Sequence, residues 1–227
     1  KSNNYFEAYK LLADNRVKNL LNKEDFYYMS YSAYKIGKLQ EAWKYMTLLE
    51  TDAGYAPAIR AIKKDIYIKL GDINLTGGSP NQAIENYKSA LEYDKNDTQV
   101  IIKLADGYYS MKAYSSVIET LSKLDKRLLK RSDIELQYGW SLYYVAREKE
   151  AAEYLADAAL ALGDANLALK TAEFGSKHLD SGKLIELYAL ARNLNKNYEL
   201  NKKLGDLFYD SGNWLDAARQ YIIYLSQ

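Results

Sequence analysis

The chain has 227 residues, 48% of them hydrophobic and 27% charged, and its 31 Lys and Arg against 30 Asp and Glu leave a formal net charge of +1. That near-neutral balance argues against a general nucleic-acid or anionic-membrane binder, which would carry a basic excess or stripe. No apolar run reaches the length of a membrane span, and the lack of cysteine excludes disulfides, thiolate metal sites and cysteine nucleophiles.

Two prolines favour long helices, and 23 tyrosines ask for many half-buried sites with the ring packed and the hydroxyl wet. Residues 3–21 read as one helix whose partner lies upstream. With no initiator Met at Lys1 and no leader, the sequence reads as a fragment of a longer chain. Residues 23–63 carry Phe26, Met29, Ser30, Gly37 and Ala42, then a longer loop between Thr51 and Pro57 and a helix restarting near Pro57. Residues 64–97 place Tyr67, Leu70 and Gly71 before a Gly77-Gly78 turn, then Ala83 and Tyr87. The order returns in 98–131 (Leu104, Ala105, Tyr108, Tyr114, Val117, Leu121) and in 132–165 (Tyr138, Gly139, Leu142, Ala151, Leu155). It diverges in 166–197, where Ala172, Leu184, Tyr188 and Ala191 keep the spacing across a shortened loop. It closes in 198–227 with Leu204, Gly205, Phe208, Gly212, Trp214, Ala217, Tyr221 and Tyr224.

The pattern resembles the tetratricopeptide repeat family: a bulky aromatic, Leu-Gly, then Ala and an aromatic on a second helix. Tyr67, Leu70, Gly71, Ala83 and Tyr87 carry the resemblance best. Asn74 and Lys95 depart from it, where the family has an aromatic and a closing Pro. The resemblance implies an all-α, right-handed superhelix of antiparallel helix pairs. One pair cannot bury its apolar face alone and must stack on a neighbour. Gly71, Ala105, Gly139, Ala172 and Gly205 let a neighbouring helix come close, and large residues fill the space between. Ser79-Pro80-Asn81-Gln82 and Ser132-Asp133-Ile134-Glu135 read as helix starts closed by capping boxes.

Sites for chemistry are sparse. The glycines at 77–78 lack the Lys of a phosphate loop. His178, the single histidine, has no nucleophile paired with it by pattern. No His and Glu spacing suits a metal, so neither cofactor nor catalysis is expected. Lys123, Lys126, Arg127, Lys130 and Arg131 read as a solvated helix end, with a local anionic docking patch as the alternative.

The resemblance implies that first helices line a concave groove holding a partner's peptide or helix. Carried over by spacing, the groove residues are Tyr27, Tyr31, Tyr34, Asp72, Asp106, Tyr109, Trp140, Tyr143, Tyr144, Glu173, Asp206 and Tyr209. The family's clamp for a carboxyl terminus is missing, since Tyr27, Tyr31, Ile68 and Asp72 occupy its places. The expected partner is a protein segment with apolar or aromatic anchors and some basic residues, bound without catalysis. The alternative is a structural module that packs end to end or on other domains in a larger bacterial complex, such as one of the cell envelope, with the apolar C-terminal helix as a surface for self-association. Cytoplasm and periplasm both stay open.

Overall fold

The computed structural model describes residues 2–14, 20–192 and 198–226. The helix expected over 3–21 and the divergent repeat expected over 166–197 therefore run partly outside the described residues, at 15–19 and 193–197. Among the described residues there are fourteen helices and no strand. The chain divides into two compact units, Lys1–Gly107 and Tyr108–Gln227.

The first unit holds α1 (Ser2–Ala13), α2 (Lys23–Lys35), α3 (Leu39–Thr47), α4 (Ala56–Thr76), α5 (Pro80–Tyr93) and most of α6 (Thr98–Ser110). α1 lies along α2, α2 pairs with α3, and α4 pairs with α5. α4 is one helix of 21 residues with Pro57 in its first turn, so the boundary expected between 63 and 64 falls inside a helix. Met29, Ala33, Met46, Ile59 and Ile66 form the buried centre of this unit.

The second unit begins at the end of α6. It continues through α7 (Tyr114–Leu121), the one-turn α8 (Lys126–Leu129), α9 (Ser132–Tyr144), α10 (Glu148–Leu162), α11 (Ala165–Gly175), α12 (Ser181–Ala191), α13 (Glu199–Asp210) and α14 (Trp214–Leu225). α9 with α10, α11 with α12, and α13 with α14 are pairs; α10 against α11 and α12 against α13 join them in succession. Leu155, Ala156, Ala168, Ala172, Leu187 and Leu204 belong to one continuous core.

Two local rules recur along the chain, the second of them absent from the short turn between α11 and α12, which has no left-handed residue. The first is a small residue on the first helix facing a large one 16 places on, as in Gly71 and Tyr87, Gly139 and Leu155, and Gly205 and Tyr221. A Cβ at Gly71 would lie 2.4 Å from Tyr87 Cε1, and one at Gly139 would lie 2.7 Å from Leu155 Cγ. The helices therefore approach as closely as glycine permits. Ala172 keeps the rule with Tyr188, whose hydroxyl donates to the Ala172 carbonyl at 3.5 Å. The second rule is the turn. Gly78 (φ 75°) and Gly212 (φ 76°) are left-handed, and so, at the same place in the repeat, are the non-glycines Lys112 (φ 58°) and Ala146 (φ 61°). In each turn the next amide donates to the carbonyl five residues back: Ser79 to Asn74, Ala113 to Tyr108, Arg147 to Leu142 and Asn213 to Phe208. These are the bonds of the Schellman closure.

Neither expected capping box forms. Ser79 is the N-cap of α5 and Pro80 follows it, but the Ser79 side chain makes no capping bond. At α9 the N-cap is Arg131, so Ser132 is already inside the helix. Glu135 does not turn back to the helix start; it is buried at 2% exposure and lies 3.1 Å from the Lys130 ammonium. Lys130 also pairs with Asp157 of α10, which is held in turn by Lys183 of α12 at 2.6 Å. The basic run thus splits. Lys126 and Arg127 sit in α8, capped by Asp125, whereas Lys130 and Arg131 are tied into ion pairs, Arg131 with Asp133. Burial pushes the Glu135 carboxyl up against the pull of Lys130. Burial also works to raise Asp157, but hydrogen bonds from Lys130 and Lys183 outweigh it and hold that carboxyl below the usual range.

Candidate protein-interaction surface

In the second unit the ends of three first helices converge on a run of aromatic rings. Tyr109 of α6 meets Tyr114 of α7 edge-on at 5.7 Å, and Tyr114 stacks on Tyr144 of α9 at 4.4 Å. Tyr144 adjoins Tyr143 at 5.8 Å and Trp140 at 6.3 Å. Tyr143 then reaches Phe174 of α11 at 5.0 Å. The Lys170 ammonium closes one end, 4.2 Å from the Trp140 ring centre. Tyr144 is 54% exposed, and Tyr109, Tyr114, Trp140, Tyr143 and Phe174 are half-buried. The surface is therefore a half-open aromatic ladder, of which Trp140 and Phe174 also pack against the core of the unit.

The structure brings Tyr109, Trp140, Tyr143 and Tyr144 of the expected groove together and adds Tyr114 and Phe174. Tyr114 opens a second helix, and Phe174 stands one residue beyond the register that marks Glu173, so reading first helices at fixed registers misses both. Tyr209 of α13 is 61% exposed and makes no ring contact with the ladder.

The tyrosines of the first unit are committed differently. Tyr27 packs on Tyr31 at 6.2 Å and on Tyr55 at 5.3 Å, and Tyr5 of α1 covers Tyr31 at 5.8 Å. Tyr34 is buried and donates to Asp65 at 3.1 Å. Burial and the Asp65 carboxylate push its hydroxyl up to about 12. The Lys69 ammonium sits 3.9 Å from the Tyr34 ring centre. Burial, with Lys35 nearby, holds Lys69 below the usual ammonium range.

The acid row is partly spent inside the helix pairs. Asp72 accepts from Tyr87 Oη at 2.8 Å and from Lys103 Nζ at 2.7 Å. Asp206 accepts from Tyr221 Oη at 2.8 Å. Burial first, then the bond to Asp72, raises the Tyr87 hydroxyl well above its ordinary value. Asp106 is half-buried on α6, where its charge also bears on Tyr87. Glu173 and Asp206 line one cavity of about 520 Å³ with Leu184, Tyr188, Lys203 and Leu207.

A lysine row answers the acids. Lys69, Lys103, Lys170 and Lys203 each stand two residues before the small position. Lys103 reaches back to Asp72, and Lys170 reaches back to Trp140 at the corresponding place of the preceding first helix. The recurrence is visible in the sequence; the reach across to the previous helix is not. His178, beyond the end of α11, faces Glu148 at 3.6 Å.

No family model matches the chain, and no curated protein matches it by sequence. Solved structures do resemble it. The crystal structure of a MamA protein is 21% identical over 72% of this chain and 91% of its own, with a TM-score of 0.51. YrrB, described as a TPR protein with an unusual peptide-binding site, is 16% identical over 76% of this chain and 91% of its own, with a TM-score of 0.51. The C-terminal part of a TPR repeat-containing protein from Cytophaga hutchinsonii is 16% identical over 99% of this chain and 90% of its own, with a TM-score of 0.52. The fold is thus that of tetratricopeptide-repeat proteins, an all-α array of antiparallel helix pairs.

Proposed function

We propose that the chain is a protein-interaction scaffold that binds a segment of another protein on its first-helix faces, without catalysis of its own. The observation that carries this reading is the aromatic ladder of Tyr109, Tyr114, Tyr144, Trp140, Tyr143 and Phe174, which the fold holds in place and leaves half open to solvent. Aromatic side chains supply large contact area at low conformational cost and dominate binding hot spots. The peptide-binding site named for YrrB, which shares the fold, supports the reading. The test is a Trp140→Ala, Tyr143→Ala double variant. Quantitative capture of partners from extracts of the native cells should fall at least about tenfold while far-UV circular dichroism is unchanged. Undiminished capture by the folded variant counts against the ladder.

A second reading rests on α14. Trp214, Leu215, Ile222 and Leu225 are 66–78% exposed there, an apolar stripe suited to another copy of the chain. Ile222→Glu would lower the mass seen by concentration-dependent light scattering if self-association is the function. A monomeric parent protein eliminates this reading.

A further inference from the structure

The ladder also bears on the conformation of what it binds. The hydroxyls of Tyr109, Tyr114, Tyr143 and Tyr144 and the indole N–H of Trp140 make no hydrogen bond among the described residues. The open polar groups of the surface are therefore tyrosine hydroxyls, which can donate or accept, and an indole N–H, which can only donate, so ring-borne protons outnumber ring-borne oxygens. An α-helix offers such donors little, because its carbonyls are used internally. A β-strand brings N–H groups of its own, which would compete with the ring-borne protons for the same hydroxyl oxygens. A polyproline II segment has no internal hydrogen bonds, its prolines carry no N–H, and its carbonyls project outward to accept. Pyrrolidine rings pack against aromatic faces and edges, and the segment is already stiff, so little entropy is lost on docking.

Ring geometry agrees. Neighbouring rings in the ladder are set at angles from stacked (19°) through tilted (35° and 57°) to edge-on (73–88°), which leaves notches rather than a flat wall. The path from Tyr109 through Tyr114, Tyr144 and Tyr143 to Phe174 takes steps of 5.7, 4.4, 5.8 and 5.0 Å. Such a path accommodates about six residues at a rise of ~3.1 Å. Charge fixes one end. The Lys170 ammonium rests on the Trp140 face at 4.2 Å and forms no ion pair among the described residues, so it is open to a carboxylate.

Resting on the function proposed above, we propose that the ladder binds a proline-rich segment of a partner in the polyproline II conformation, with an acidic residue next to Lys170. The probe is a fluorescein-labelled hexaproline peptide flanked by glutamate at both ends, titrated against the full chain by fluorescence anisotropy. Replacing its prolines with alanines should weaken binding at least about tenfold, and so should Trp140→Ala in the protein. Lys170→Gln should weaken the glutamate-flanked peptide severalfold and leave a glutamine-flanked peptide unchanged. The proposal is overturned if the alanine peptide binds as tightly as the proline peptide. It is overturned equally if the folded protein binds neither at millimolar peptide. Should partner crosslinks still form at the ladder in that case, the scaffold reading stands and only the polyproline assignment falls.

Discussion

Replacing Gly71 with alanine probes the packing rule directly. The new Cβ would lie 2.4 Å from Cε1 and 2.7 Å from Cδ1 of Tyr87. Tyr87 is 0% exposed and its hydroxyl is held by Asp72 at 2.8 Å, so the ring cannot slide away without breaking that bond. Overpacking of this kind costs about 1–3 kcal/mol, and the better helix propensity of alanine returns about 1 kcal/mol. The net loss is therefore roughly 0–2 kcal/mol, towards the upper end because the Tyr87 ring is fully buried and its hydroxyl held. Gly205→Ala brings a similar approach, 2.5 Å from Tyr221 Cε1. There the hydroxyl is likewise held, by Asp206 at 2.8 Å, but that bond is exposed and the ring only partly buried on α14; the ring can swing outward and exchange the bond for water, so the net change should be within about 0.5 kcal/mol of zero. Gly139→Ala should cost at least as much as Gly71→Ala. Its Cβ would lie 3.2 Å from the Leu155 backbone nitrogen, which yields only if α10 moves. Urea unfolding followed by circular dichroism reads all three. Repeat arrays lose strict two-state behaviour, so amide exchange in α4 and α5 should localise the Gly71 effect. A Gly205 variant as damaged as the Gly71 variant, or a Gly71 variant more stable than the parent, refutes the reasoning.

Lys112→Gly and Ala146→Gly should each stabilise the protein by about 0.5–1 kcal/mol, since both residues hold positive φ at a turn; a lowered urea midpoint in either would contradict this. Lys130→Met removes the cation between buried Glu135 and Asp157 and should destabilise by roughly 1–3 kcal/mol at neutral pH, discounted because Lys130 is itself 58% exposed. Glu135 has a raised folded-state pKa, so its protonated form favours the fold and its contribution is lost as pH rises. The Lys130→Met penalty should therefore shrink on acidification, and Glu135→Gln should be neutral or stabilising at neutral pH. A pH-independent penalty would show that Glu135 is not the group left stranded. Asp157 has a lowered pKa and contributes in the opposite sense, with stability lost as pH falls through its folded-state value. Asp157→Asn should cost stability at neutral pH and less in acid, which the same titration of urea midpoints would check.

The helix pairs were legible because their cause is local. A glycine or alanine, a turn and an alanine recur at fixed spacing, and each has one steric reason to be there. The acid row was legible as a row, but its use was not. Asp72 and Asp206 find tyrosine hydroxyls 15 residues away, and that meeting depends on how closely two helices pack. Tyr114 and Phe174 joined the ladder from outside the registers read from sequence. The start of α9 misled for a related reason: Ser132 and Glu135 have the right types and spacing for a capping box, but Lys130 and burial draw Glu135 into the core instead.

The scaffold role is tested most directly by where another protein touches this one. A photo-crosslinking residue placed at Tyr144, which is 54% exposed in the ladder, can be compared in native-cell extract with one at Glu119, exposed on α7. Crosslinks to a partner protein from position 144, lost when Trp140→Ala is added, are the predicted result. Partner crosslinks from position 119 with none from position 144 would contradict it.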